Sequence, residues 1–245
     1  MAGRGDIGQV EPLRHPNIYM FRENKWLPAE EPLHTDKPDT AGIGLGMSFA
    51  VELLKEYPTA RIGLLPCAVG GTPLSRWMPG TDLYENTLAI TQKALNSGEL
   101  KGILWHQGEG DSTDEGNSST YAQRLAIMIA ALREELDASR IPFLAGELGR
   151  FLQGHENYQY STTVNRQLRD LVKTIPFYGC VSSAGLTDKG DKLHFDSASL
   201  REFGRRYAAQ YLKIIHANGL QPLIVESEQV ATVDADKPRP LSSGG

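Results

Sequence analysis

The sequence predicts an α/β domain in which helices cover both faces of a parallel β-sheet. From residue 41 onward, segments with the apolar spacing of helices alternate with short apolar runs. Four of these runs are each followed by a helical segment, which is the order of a doubly wound sheet. With 245 residues, 40% hydrophobic and 22% charged, the chain is long enough to bury one large core.

The first forty residues differ from the rest because they are rich in proline and charge, and they contain one short predicted strand at 17–21. A helix is predicted over 44–57, which Pro58 ends. Its apolar face consists of Leu45, Phe49, Leu53 and Leu54. The apolar run 61–69 follows directly and predicts the next strand.

The remaining units repeat this order. A helix over 83–96 leads to a strand at 102–106, and Ser118 or Ser119 caps a helix that continues to about residue 136. Its core face is marked by Leu125, Ile129 and Leu132. The later elements are a strand at 142–146, a helix at 163–173, a strand at 177–182 and a helix at 197–216.

The chain beyond these elements has no periodicity. Residues 226–245 contain two prolines and end in Ser-Ser-Gly-Gly, so they predict a disordered tail behind one domain over 1–225.

Charge and composition restrict the classes of partner. A net charge of -5 gives no basic face for a phosphate backbone, which argues against nucleic acid. No run reaches the roughly 18 apolar residues of a membrane helix. Cys67 and Cys180 lie in apolar runs and predict neither a disulfide framework nor a metal site. Oligomeric state and localisation stay open.

Three segments carry candidate chemistry. The strand ending near Val69 is followed by Gly70-Gly71-Thr-Pro, whose backbone N–H groups can approach a ligand closely, although a tight strand-to-helix turn is the simpler explanation of the glycines taken alone. The next strand is followed by Trp105-His-Gln-Gly-Glu. There Gln107 offers an amide donor to an oxyanion and Glu109 could orient an imidazole, or both could simply be satisfied polar groups at a strand end.

The third segment is Asp191-Lys-Leu-His194-Phe, immediately before the last helix. Asp191 and His194 are three residues apart, so one turn brings both side chains to the same side. An imidazole held by a carboxylate can serve as a general base. Each segment is weak evidence alone. Because a parallel sheet brings strand ends together at one edge, the three segments jointly predict an acyl-transfer site there.

The blocks Cys67-Ala-Val-Gly-Gly-Thr, Trp105-His-Gln-Gly-Glu and Asp191-Lys-Leu-His-Phe, with Arg76-Trp77, resemble carbohydrate esterase family 6 and the sialate O-acetylesterases within the SGNH hydrolases. The resemblance extends over nearly all of residues 1–217 and includes relatives of acetylxylan esterases. It implies a three-layer, flavodoxin-like fold and hydrolysis of acetyl esters on xylan-like or sialylated sugars through a serine acyl-enzyme, without metal or cofactor.

Roles follow by motif from this resemblance. His194 is implied as the general base, and either Asp191 or Glu109 as the acid that orients it. Gly70, with Gly71 as the second choice, is implied to supply a backbone N–H to the oxyanion hole, and Gln107 its side-chain amide.

The nucleophile is the main departure from the family pattern. The family serine lies in a Gly-Gln-Ser-Asn block leading into Met-Ala-Gly-Arg-Gly, which is where this sequence starts at Met1. We therefore expect the serine just before Met1, on a first strand missing from this sequence, and a catalytically crippled chain. Ser75, Ser182 and Ser183 are alternative nucleophiles that nothing in the sequence activates. A carbohydrate-binding relative without catalysis is the alternative function.

Overall fold

The computed structural model describes residues 2–220 of the chain, so the predicted tail at 226–245 lies outside the described residues. Within that range the strands are β1 (Ile18–Arg22), β2 (Lys25–Pro28), β3 (Ile62–Leu64), β4 (Ile103–Trp105), β5 (Phe143–Gly146) and β6 (Tyr178–Val181). The helices are α1 (Gly46–Glu56), α2 (Asp82–Ala94), α3 (Glu115–Ser119), α4 (Tyr121–Glu135), α5 (Ser161–Asp170) and α6 (Ser197–Ala217). The predicted α/β fold class is confirmed.

The strands form two three-stranded sheets, with the orders β2-β1-β3 and β4-β5-β6. β1 is parallel to β3 and antiparallel to β2, and β4, β5 and β6 are mutually parallel. The inner edges of the two sheets, β3 and β4, both line a cavity of about 1190 Å³, and every residue of both strands contributes to its wall. The two sheets therefore flank one shared cavity.

Two local differences separate the observed strands from the predicted ones. The run 61–69 pairs with β1 only over Ile62–Leu64, because the chain then turns away to form the loop that carries the two glycines. The hairpin partner β2 was not predicted. Glu23 and Asn24 form its turn at φ 52° and 61°, the left-handed region that two-residue hairpin turns require.

Helices cover both faces of the sheet β4-β5-β6, and the side chains of β5 show the alternation. Phe143 and Ala145 pack in the core that includes α2, α4 and α5. Leu144 points the other way, into the core shared with α1 and α6. All three side chains are fully buried, as expected for a strand between two helical layers. No helix among residues 2–220 has the length and hydrophobicity needed to cross a membrane.

The segment 2–6 is fixed at the edge where the parallel strands end. Gly5 forms a β-bridge with Ile43. Lys189 donates from Nζ to the Arg4 carbonyl at 3.1 Å, and the Ser197 hydroxyl donates to the Asp6 carbonyl at 2.6 Å. These contacts join the start of the chain to the loop before α6.

Candidate active site

The three predicted segments meet at the carboxyl ends of β3, β4 and β6. Five of the six predicted site residues line the wall of the cavity between the sheets, namely Gly70, Gly71, Gln107, Glu109 and His194. Asp191 lies behind His194, in hydrogen-bonding contact with its ring. The imidazole of His194 and the amide of Gln107 thus share one cavity.

His194 and Asp191 form the more exposed of two histidine–carboxylate pairs. His194 Nδ1 lies 2.7 Å from Asp191 Oδ2, and the other Asp191 oxygen accepts the backbone N–H groups of Leu193 and His194 at 2.9 and 2.8 Å. Burial by itself raises the pKa of Asp191, but these hydrogen bonds and His194 outweigh it and lower that pKa to about 2. An ionised carboxylate only accepts, so Nδ1 carries the proton and Nε2 keeps a lone pair.

The loop around this pair has a fixed shape. Asp188 Oδ1 accepts the backbone N–H groups of Gly190 and Lys192 at 2.7 and 2.9 Å. The backbone N–H of Lys189 donates to the His194 carbonyl at 2.9 Å. Lys192 takes a positive φ of 56°, which turns the chain so that Asp191 and His194 face each other. The geometry is that of a base held by a carboxylate.

Glu109 contacts His106 and not His194. His106 Nε2 lies 3.2 Å from Glu109 Oε1, and the two side chains are 2% and 30% exposed. Burial by itself raises the pKa of Glu109, but the hydrogen bond from His106 outweighs it and lowers that pKa to about 2. Burial lowers the pKa of His106, which favours the neutral ring.

The two glycines differ in the availability of their N–H groups. Gly70 donates to Asp36 Oδ2 at 2.7 Å, and Asp36 forms an ion pair with Arg4 at 2.6 Å with both side chains under 10% exposed. Gly71 has φ +75°, a conformation that favours glycine. No group among residues 2–220 accepts the Gly71 N–H. Gly71 therefore has the donor that is open to a ligand.

Gln107 ties two loops together. Its Nε2 donates to Asp111 Oδ2 at 2.7 Å and to the Thr72 carbonyl at 3.1 Å, so both amide hydrogens have acceptors. Its Oε1 accepts from the Tyr121 hydroxyl at 3.0 Å. The amide thus connects the loop after β3 to the loop after β4, and an oxyanion would have to displace the longer bond to Thr72.

Sequence reasoning missed the buried groups that hold these loops. Asp111 is 1% exposed and accepts from Gln107, from the Leu74 N–H and from Arg124, the last two at 2.8 Å each. Its only signal was an acidic residue two positions after the Trp-His-Gln-Gly-Glu block. The Arg4–Asp36 pair joins residues 32 apart and left no local signal.

The alternative serines lie away from the cavity. Ser75 is exposed and is not among the residues lining the wall. Ser182 is bonded to Glu147, and Ser183 is fully buried and donates to the Leu148 carbonyl at 2.8 Å. None of the three contacts His194. Cys67 and Cys180 are free thiols whose pKa values burial raises to about 11 and 12.

Comparisons with known proteins agree on one family. The family model described as carbohydrate esterase, sialic acid-specific acetylesterase matches residues 1–213. A protein of Arabidopsis thaliana named probable carbohydrate esterase is 31% identical over 232 residues, which is 86% of each chain. The X-ray structure of that plant protein has a TM-score of 0.79 at 30% identity and covers 87% of this chain and 93% of its own.

A second solved structure is similar in fold. The crystal structure of a carbohydrate acetylesterase from Xanthomonas citri has a TM-score of 0.59 at 20% identity. It matches 82% of this chain and 49% of its own.

Proposed function

Because this chain belongs to the carbohydrate esterase family described as sialic acid-specific acetylesterases, we propose that it removes acetyl groups from acetylated sugars through a serine acyl-enzyme. The observation that carries this proposal is the Asp191–His194 pair, at 2.7 Å, beside a cavity that Gly70 and Gly71 also line. Xylan-like and sialylated sugars are the substrate classes we propose.

In the proposed mechanism His194 Nε2 takes the proton of the serine hydroxyl as the oxygen attacks the acetyl carbonyl. Asp191 holds the other ring nitrogen and stabilises the imidazolium. The ester C–O bond then breaks, and the sugar leaves with the proton from His194. Water attacks the acyl-enzyme with His194 again as base, which releases acetate and restores the serine.

We propose that backbone N–H groups stabilise the oxyanion, together with the Gln107 amide. The free N–H of Gly71 supports Gly71 ahead of Gly70, whose N–H is bonded to Asp36. His194 hydrogen-bonds to Asp191 and not to Glu109, which supports Asp191 as the orienting acid. No metal or cofactor enters this scheme.

We place the serine on a strand between β3 and β4, which runs into the segment 2–6. Support comes from the cavity that both strand edges line, since a parallel strand can pair with a neighbour on each side. Ala2 and Arg4 line the same cavity, so a chain leading into them reaches its wall.

The test compares the 245-residue chain with an extended chain that adds the coding sequence in frame upstream of Met1. We expect the extended chain to contain Gly-Gln-Ser-Asn and to hydrolyse p-nitrophenyl acetate about 10⁴ to 10⁶ times faster, the usual effect of a serine nucleophile. Equal rates for the two chains, or a stop codon directly upstream, would contradict the proposed nucleophile.

Labelling provides a second measurement. A fluorophosphonate should modify the serine of the added segment in the extended chain. Modification of Ser75, Ser182 or Ser183 in the 245-residue chain would instead assign the nucleophile to that residue and overturn the upstream serine.

A carbohydrate-binding protein without catalysis is the second candidate. It is favoured by one observation: the Gly70 N–H and both amide hydrogens of Gln107 already have protein acceptors. An extended chain that binds an acetylated xylo-oligosaccharide but hydrolyses neither it nor p-nitrophenyl acetate would establish this candidate.

A further inference from the structure

Glu109 is a negatively charged group on the cavity wall, and within residues 2–220 only one of its two carboxylate oxygens hydrogen-bonds to another side chain. Its Oε1 pairs with His106 Nε2, and no second side chain among residues 2–220 hydrogen-bonds to the carboxylate. The carboxylate is 30% exposed, and Glu109 lines the same cavity as His194. Its hydrogen bond to His106 fixes its position, so it is a preorganised acceptor.

His106 is restricted to one protonation form by its surroundings. Its Nδ1 is buried and has no hydrogen-bond partner within residues 2–220. A proton on Nδ1 would therefore be a buried donor without an acceptor, which costs about 1–3 kcal/mol. The neutral ring with its proton on Nε2 avoids that cost and donates to Glu109. His106 thus holds Glu109 in its ionised form.

Glu109 lies close to the His194 loop. The ring centroid of His106 is 5.7 Å from that of Phe195, the residue directly after His194. Tyr158 lines the cavity together with Glu109, and the negative charges of Glu109 and Asp191 both contribute to its raised pKa, after the larger effect of burial. Tyr158 is therefore a second polar group on the wall of the cavity that Glu109 lines.

We propose that Glu109 binds a hydroxyl group of the sugar whose acetyl ester is presented to His194, with Tyr158 as a second polar group on the same cavity wall. Sugar hydroxyls are donors, and a hydrogen bond to an ionised acceptor is roughly twice as strong as one between neutral groups. A substrate carboxylate at this position would be repelled. This inference rests on the proposed function, because it takes the ligand to be a carbohydrate.

The inference assigns Glu109 a different role from that of an orienting acid, and the two roles have different consequences. An orienting acid affects the hydrolysis of every ester, whereas a residue that binds a sugar hydroxyl affects only substrates that carry the sugar. The discriminating quantity is the ratio of kcat/KM for an acetylated xylo-oligosaccharide to kcat/KM for p-nitrophenyl acetate.

The experiment measures this ratio for the extended chain, for Glu109→Gln and for Tyr158→Phe. Glutamine keeps the shape and an acceptor for His106 but removes the charge, so we expect the ratio to fall about tenfold, mainly through KM of the oligosaccharide. Tyr158→Phe is expected to lower the ratio by a smaller factor. Glu156→Gln, an exposed carboxylate outside the cavity, is the matched control for the loss of charge.

An unchanged ratio in Glu109→Gln would overturn the inference, as would an equal fall of kcat for both esters with a shifted pH profile. Calorimetry can also measure binding of the same oligosaccharide to the 245-residue chain, which gives a readout without turnover. In this measurement Glu109→Gln should weaken binding about tenfold. Unchanged binding in the variant, or undetectable binding by the unmodified chain, would also overturn the inference. Failure of the unmodified extended chain to hydrolyse either ester would count against the proposed function itself.

Discussion

The two histidine–carboxylate pairs have the same spacing along the chain and differ in burial. Asp191 and His194 are three residues apart, as are His106 and Glu109, and both pairs follow a parallel strand. The side chains of the first pair are 39% and 37% exposed, so water and substrate can reach the imidazole. In the second pair the imidazole is 2% exposed and lies against the rings of Phe195 and Phe203.

Burial, and not spacing, therefore distinguishes the proposed general base from the ring that supports Glu109. The exposed ring can exchange its proton with a reacting group because its Nε2 has no protein partner in residues 2–220. The buried ring directs its one N–H group at Glu109. The first pair therefore fits the proposed proton transfer, and the second fits the proposed role of holding the Glu109 charge in place.

Removing the exposed ring of His194 is the strongest test of this difference between the two pairs. His194→Ala in the extended chain is expected to lower kcat for p-nitrophenyl acetate by about 10⁴-fold or more, because the general base is lost. The free energy of unfolding should change by less than about 0.5 kcal/mol, since the side chain is exposed. His216→Ala, an exposed histidine at the end of α6, is the control. Comparable activity in His194→Ala would remove this residue from the mechanism.

Substitution of Asp191, the acid of the exposed pair, should give the next largest effect on kcat. Asp191→Asn is expected to lower kcat by about 10³-fold, because an amide can no longer hold the ring in the required tautomer. Steady-state kinetics against pH would check this. If Glu109→Gln had the larger effect on kcat and Asp191→Asn almost none, the two carboxylates would exchange roles.

Removing the buried ring should affect folding more than turnover. His106→Ala leaves a cavity between Phe195 and Phe203 and deprives Glu109 of its donor, which is expected to cost about 2–3 kcal/mol of unfolding free energy. Urea unfolding of the 245-residue chain measures this, with His155→Ala as the control. A loss below about 0.5 kcal/mol would show that the buried pair does not stabilise the fold.

Lowering the pH should reduce the contribution of both pairs to the free energy of unfolding, by less than these substitutions do. The folded pKa values of Asp191 and Glu109 are about 2, below the ordinary values of 3.8 and 4.5. Depressed carboxyl pKa values stabilise the fold above the unfolded pKa, and this contribution is lost as the pH falls through about 4.5 towards 2. Both side chains are partly exposed, so solvent screening reduces the effect to about 1 kcal/mol or less for each.

Glu109→Gln should therefore show a smaller loss of unfolding free energy between pH 5 and pH 3 than the unmodified chain. Urea midpoints at the two pH values would measure the difference. Equal losses in the two proteins would mean that Glu109 keeps an ordinary pKa in the folded chain.

The sequence was sufficient for features that depend on neighbours along the chain. The helix predicted over 197–216 is α6 (Ser197–Ala217), because apolar spacing is a local signal. The contact between Asp191 and His194 follows from their spacing. Every β-strand of the predicted parallel sheet was located, although the run at 61–69 pairs over only three residues.

The sequence was insufficient where the outcome depends on distant packing. The burial of His106 results from aromatic rings contributed by residues 195 and 203, which no local pattern relates to it. The division into two sheets and the bond from Gly70 to Asp36 are likewise long-range. These contacts also decide which donors are free, so the predicted oxyanion residues stay a prediction.

The anchoring of residues 2–6 has a practical consequence for handling the protein. An affinity tag or fusion partner joined directly to Ala2 would start at the cavity wall, at the place proposed for the serine-bearing strand, and would obstruct a bound sugar there. α6 starts beside the His194 loop and its 21 residues carry the chain about 30 Å away. Purification handles and immobilisation linkers are therefore better attached after α6 than directly ahead of Ala2.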